Sequence, residues 1–105
     1  MKSDRELLEP AAKAAGVELW LNSVSSYRNG ANGPTWNSLT DDGDCARMES
    51  ACEIDVQWFR DAVMINIDAS DGECIEYFAN HNGDKNAARR LASTRAAAQI
   101  GEGMK

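Results

Sequence analysis

The sequence predicts a single α+β domain, with elements in the order α-β-(β)-α-β-β-β-α, a mainly antiparallel sheet and helices on one face. Three observations carry that prediction. Two segments, near residues 4–15 and 84–100, repeat small apolar residues at helical spacing. Residues 53–79 alternate apolar and polar residues in short runs broken by turn signals. A capped acidic stretch, 40–44, starts a further helix between them. The chain has 105 residues, 43% hydrophobic and 27% charged, a globular composition that suits one modest core.

Ser3–Asp4–Arg5–Glu6 is a capping-box pattern, and Leu7, Leu8, Ala11, Ala12 and Ala15 follow as an apolar stripe up to Gly16. Pro10 falls inside this stripe, so the helix over 4–15 is expected to kink there. Val17–Ser23 alternates as a strand. Residues 25–34 hold two Asn-Gly pairs and Pro34, which predicts a mobile loop carrying Tyr27 and Arg28 as candidates for partner contact. Thr35–Leu39 reads as a short second strand.

Thr40 or Asp41 caps the next helix, with Asp42 and Asp44 in its first turn, where the helix dipole favours negative charge. Cys45, Met48 and Cys52 fall on one face, and Trp36 and Leu39 precede the helix to pack under it. The four acids Asp41, Asp42, Asp44 and Glu49 lack the spacing of a calcium loop, so no metal site is expected. Three strands follow. Ile54, Val56 and Trp58 alternate in Glu53–Phe59, and Val63, Ile65 and Ile67 in Ala62–Asp68. In Glu73–Ala79, Ile75 and Tyr77 face opposite to Cys74, Glu76 and Phe78. Turns are placed at Arg60-Asp61 and Asp71-Gly72. The wetter sheet face is expected to bear Asp55, Gln57, Asn66, Asp68 and Glu76; Trp20 and Phe59 on that face would make an aromatic patch favouring an interface, a homodimer included. Asn80–Gly83 is read as a polar loop with the only histidine, His81. Asp84 caps a last helix that Gly101 ends. Ala87, Leu91, Thr94 and Ala98 form its small-residue face, and Arg89, Arg90 and Arg95 lie off that face to pair with the acidic sheet.

The segment Trp36–Asp44 resembles the W-N-P-L-T-D-D-G-D-A-x-R-L motif of a family of small bacteriophage and prophage proteins. Leu7-Leu8-Glu9-Pro10-Ala11-Ala12-Lys13-Ala14-Ala15-Gly16 is similar to that family's opening L-L-E-L-A-A-K-A-A-G. The stretch from Ala88 through Gly101 is similar to its closing A-T-R-R-A-I-V-R-A-A-A-x-I-G. Together these cover about a third of the chain, with Pro10, Ser38 and Cys45 departing from the family pattern. The resemblance implies a phage or prophage origin and no particular chemistry.

Charge and cysteine usage narrow the function classes. The net charge is −6. From Asp41 to Glu76 eleven acids face two arginines, whereas from Asp84 to Lys105 five basic residues outnumber two acids. An acidic protein gains nothing from phosphate contacts and is steered to basic partners. Cys45, Cys52 and Cys74 have no CxxC spacing and read as structural thiols. No catalytic motif pairs a nucleophile with a base, so no enzyme, cofactor or small-molecule substrate is expected. No apolar run reaches the ~20 residues of a membrane span, and the charged N-terminus lacks a signal-peptide core, which places the expected protein in the host bacterial cytoplasm. The expectation is a non-catalytic accessory protein that binds a host protein with a basic surface, in the manner of an anti-CRISPR or other anti-defence inhibitor. Its partner-binding candidates are Tyr27, Arg28, Asp55, Gln57, Asp68 and Glu76. A nucleic-acid-binding module, resting on Arg89, Arg90 and Arg95, and a small phage assembly component are the alternatives.

Overall fold

The computed structural model describes residues 3–23, 26–30, 33–66 and 73–104. Its elements are α1 (Asp4–Ala15), β1 (Leu19–Ser23), β2 (Ser26–Asn29), α2 (Asp42–Ala51), β3 (Asp55–Trp58), β4 (Ala62–Asn66), β5 (Glu73–Tyr77), a short 3-10 turn (Phe78–His81) and α3 (Lys85–Glu102). The α+β class stands. The antiparallel strands, however, divide into two sheets, a β1–β2 pair and a three-stranded β3–β4–β5 sheet.

Local chemistry sets most helix ends. Ser3 accepts from the Glu6 N–H while Glu6 reaches back to the Ser3 N–H, a complete capping box. Gly16 closes α1 at φ 74°, a left-handed conformation that glycine adopts at little cost. Asp41, not Thr40, caps α2 by accepting from the Asp44 N–H at 2.8 Å. Asp84 caps α3 through the Ala87 N–H.

Helix α3 lies in the middle of the molecule and is covered on two sides. Ala88, Ala92 and Ala96 meet Val63, Ile65 and Cys74 of the sheet and Phe78 of the 3-10 turn. Ala97 and Ala98 belong to a second core with Leu7, Leu8, Ala11, Ala12, Tyr27, Trp36, Cys45 and Met48. A helix pressed from both sides must keep its side chains small, which accounts for its alanines. The buried arc is therefore wider than the predicted stripe of Ala87, Leu91, Thr94 and Ala98: Ala87 and Leu91 are only half-buried, whereas Ser93, Ala96 and Ala97 are buried.

Gly101 does not end α3. The helix continues to Glu102, and Gly101 is buried against α1, where a Cβ would stand 1.8 Å from the Pro10 carbonyl oxygen. Pro10 lies within a helix that runs unbroken from Asp4 to Ala15.

Four strand readings need correction. The segment 25–34 contains β2, and Thr35–Leu39 is no strand; Thr35 makes only an isolated bridge to Arg28. Tyr27 lies opposite Leu21, so an aromatic residue inside a polar run marked a strand. Glu53 precedes β3 rather than opening it. It sits at φ 54°, and the Ile54 N–H returns to the Glu49 carbonyl. β5 is faced the other way. The register sets Ile65 opposite Cys74 and Val63 opposite Glu76. Cys74 and Glu76 therefore turn towards α3, while Ile75 and Tyr77 turn outward. The predicted strand end 67–68, with Ile67 and Asp68, and the Asp71-Gly72 turn lie outside the described residues.

Gly101→Ala is expected to lower stability by about 1–3 kcal/mol despite alanine's better helix propensity, because the new methyl meets backbone that cannot swing away. Gly103→Ala, whose Cβ would lie 3.5 Å from its nearest neighbour, is the control and should be near neutral. Urea unfolding of the two variants measures both.

Candidate functional site

The motif Trp36–Asp44 is engaged internally. Trp36 is a core residue and its N–H donates to the Tyr27 carbonyl. Asn37 accepts from the Leu39 N–H through its side chain. Ser38 shares a buried 2.8 Å hydrogen bond with Thr94 of α3. The Leu39 carbonyl and the Asp42 carboxylate both accept from Arg90, at 2.9 and 2.7 Å. Asp44 accepts from the Asn37 N–H and from Arg47. The motif thus builds the turn that seats α2 on α3, and its carboxylates do not converge on a ligand. Among the described residues no group of three His, Cys, Asp or Glu side chains is placed to hold a metal ion, and no helix is long and apolar enough to cross a membrane.

The three α3 arginines were expected to pair with the sheet, and only one does. Arg89 makes a bidentate contact with Glu49 of α2, whose Oε2 also accepts from Ser93 at 2.5 Å. Arg90 holds Asp42. Arg95 alone reaches the sheet, donating to Glu76 Oε2 at 2.5 Å. The Glu49–Arg89 pair is largely buried, with its hydrogen-bonding groups satisfied, and it clamps α2 to α3.

Glu76 forms the base of a cleft of about 810 Å³ between α1, α3 and the 3-10 turn, lined also by Leu7, His81, Leu91, Arg95 and Gln99. His81 Nε2 lies 2.9 Å from Glu76 Oε1. A carboxylate only accepts, so the ring carries its proton on Nε2 in this contact. Both Glu76 oxygens are occupied, one by His81 and one by Arg95. The histidine expected in a plain surface loop instead fastens the 3-10 turn. Cys74 lies behind this cluster, buried, with Gln99 Nε2 3.6 Å from its Sγ, and burial pushes its thiol up. A protonated, buried thiol is a poor nucleophile.

Tyr27 is 7% exposed, and its hydroxyl donates to Glu9 Oε2 at 3.2 Å. Its side chain is mostly buried in the core and touches a shallow groove with Arg5, Glu9, Lys13, Val17 and Leu19. Arg28 is half-buried beside it on β2, opposite Trp20. Asp55 and Gln57 are exposed on β3, on the face of the sheet turned away from α3. Glu76 is on the opposite face, and Asp68 lies outside the described residues.

No described helix covers that outer face of the sheet. Cross-strand register aligns Phe59, Ala62 and Tyr77 in one row and Gln57, Met64 and Ile75 in the next. Asp55 and Asn66 begin a third. Phe59 is 51% exposed, Tyr77 53% and Ile75 41%. Sequence reasoning missed Ile75 and Tyr77 because it faced β5 inward. Trp20 belongs to the other sheet and does not extend this patch. Trp58, also about half exposed, leans on Phe78 from the inner side, with ring centroids 6.2 Å apart.

Comparison with protein-family models, with curated proteins and with solved structures finds no match.

Two predictions concern the interior. Arg89→Ala should cost about 3 kcal/mol, because it strands the Glu49 carboxylate without its counter-charge; chemical denaturation measures it. Burial and the Glu49 carboxylate push the Cys45 thiol up to about 12 from an ordinary value of 9.0, with Arg89 opposing. A raised folded-state pKa contributes stability that is complete below about pH 9 and lost as pH climbs towards 12. Cys45→Ala should therefore flatten the alkaline limb of the stability profile between those values, as read by melts across pH.

Proposed function

We propose that this chain is a non-catalytic binding protein that docks the outer face of β3–β4–β5 against a basic, apolar-lined surface of a host protein. The observation that carries the reading is the uncovered sheet face itself. It presents Phe59, Tyr77 and Ile75 together, with Met64 between the strands and Asp55 and Gln57 alongside. Exposed aromatics grouped on a rigid sheet with a polar border are typical of interface cores.

Charge supports the choice of partner. Asp42, Asp44, Glu49 and Glu76 are matched by arginines within the fold. Exposed acids not so matched include Glu53, Asp55 and Asp61, around β3 and the β3–β4 turn beside Arg60, while Asp4, Glu18 and Asp84 lie elsewhere on the surface. A negative border of this kind steers the protein to a positive surface and rejects acidic ones. A host protein whose basic surface binds nucleic acid fits this chemistry, and blocking that surface would inhibit it. The resemblance of the Trp36–Asp44 segment to phage proteins favours an anti-defence setting in the host cytoplasm. The alternative of a nucleic-acid-binding module draws little support, since Arg89 and Arg90 are mostly buried in ion pairs and the face with exposed aromatics is acidic at its border.

The test is affinity capture from nuclease-treated host lysate at moderate salt, comparing the tagged protein with Tyr77→Ser, Phe59→Ser and Asp55→Lys. One dominant host protein should be retained by the parent, and retention should fall about tenfold or more with either aromatic change, the scale of losing an interface anchor. Asp55→Lys should weaken capture most at low salt. Retention unaffected by all three changes would remove the sheet face as the docking surface. Capture of phage proteins alone would move the reading to an assembly role.

A further inference from the structure

The backbone of the same sheet identifies how a partner can engage it. β3 is an edge strand: its one neighbour among the described strands is β4. The Phe59 N–H donates to the Ala62 carbonyl at 2.8 Å. In an antiparallel ladder the bonding direction alternates, so residues 55, 57 and 59 bond to β4. Val56 and Trp58 therefore direct their N–H and C=O groups to the open side.

Proteins normally guard such edges with lysine, proline, a bulge or an inward-pointing charge. The other edges in this fold are guarded. β1 carries a register irregularity between Leu21 and Ser23. β2 is closed by the bonds from the Asn29 N–H to the Pro34 carbonyl and from the Trp36 N–H to the Tyr27 carbonyl. β5 carries the inward-facing Glu76. The β3 sequence Asp55-Val56-Gln57-Trp58 has no lysine and no proline, and its register with β4 is regular. Its sole charge is Asp55, with Glu53 just before it. Acids on an edge disfavour pairing with a second copy of the same edge, since like charges across a ladder are destabilising. They favour a basic strand.

We propose that an extended segment of the partner adds to β3 as a fourth strand, hydrogen-bonded to Val56 and Trp58. It would carry apolar side chains on the α3 side, against Val56 and Trp58, and lysine or arginine on the outer side, against Asp55. The register dictates this alternation, because residues bonded opposite Val56 and Trp58 share their face of the sheet. The inference rests on the protein-binding reading above and adds the partner's local form to it.

The experiment uses the full chain, labelled for amide hydrogen exchange by NMR, with a short synthetic peptide alternating lysine with valine and its glutamate-for-lysine counterpart. The lysine peptide should slow exchange at the Val56 and Trp58 amides at least tenfold and leave Gln57 and Phe59, already bonded, little changed. The glutamate peptide should do neither. Val56→Pro removes one outward N–H without breaking a ladder bond to β4, and should abolish the protection. Asp55→Lys, an exposed change that leaves the backbone intact, should weaken peptide binding about tenfold even if the proline variant is unstable. Binding of the lysine peptide without protection of Val56 and Trp58, no binding at all, or concentration-dependent protection of the same amides by the protein alone would each overturn strand addition. In those cases, lysate capture that still depends on Tyr77 and Phe59 would leave the face-docking reading standing; loss of that dependence as well would remove both.

Discussion

Everything in this molecule is arranged around one helix that has almost no room. α3 has the three-stranded sheet on one side and α1 and α2 on the other, so each turn of it that faces inward must be alanine, serine, threonine or glycine. Packing at such short range leaves no slack for larger groups, because protein interiors are close to crystal density. The closest approach is at Gly101, where the α1 backbone at Pro10 occupies the space a side chain would need. The two core clusters are thus separate sets of side chains on either side of one element, and what disturbs α3 disturbs both.

Small residues bury little apolar area, and polar contacts supply much of the specificity around α3. Ser38 with Thr94, Glu49 with Arg89 and Ser93, and Arg90 with Asp42 and the Leu39 carbonyl tie the turn before α2, and α2 itself, to one register on α3. Buried polar groups are costly unless satisfied, so a neighbouring register that broke them would be strongly disfavoured. The same contacts alter the surface. They take Arg89 and Arg90 largely away from solvent and match Glu49 and Asp42 of α2, while Glu53, Asp55 and Asp61 stay exposed about β3 and the turn that follows it.

Much of the fold was legible in order. The capping box at Ser3, the Asp41 and Asp84 caps, the left-handed glycine after Ala15 and the alternation of β3 and β4 are local chemistry acting within a few residues, and they appear where the sequence places them. Less of the candidate site was legible. Asp55 and Gln57 were placed on the outer face. Tyr27 was assigned to a loop because its polar neighbours masked a strand, and Glu76 was put on the wrong side of the sheet. An alternating strand has two candidate inner faces, and β5 offers Cys74 and Glu76 on one and Ile75 and Tyr77 on the other. Hydropathy selects the second; the structure takes the first.

The sequence by itself determined the helices, their caps, the alternating strands and the uneven charge, because each depends on backbone preferences and neighbours a few positions apart. Only the tertiary structure decided which face of β5 turned inward, that the strands split into two sheets, that Gly101 was a packing site rather than a helix end, and that the arginines would be matched chiefly by α2. The physical reason is that these outcomes depend on partners tens of residues away. Glu76 is accepted beneath the sheet because Arg95 and His81 converge on it there, and no local pattern around Glu76 records that they will. Once that charge is satisfied inside, Ile75 and Tyr77 are left outside, and the surface offered to a partner follows from it.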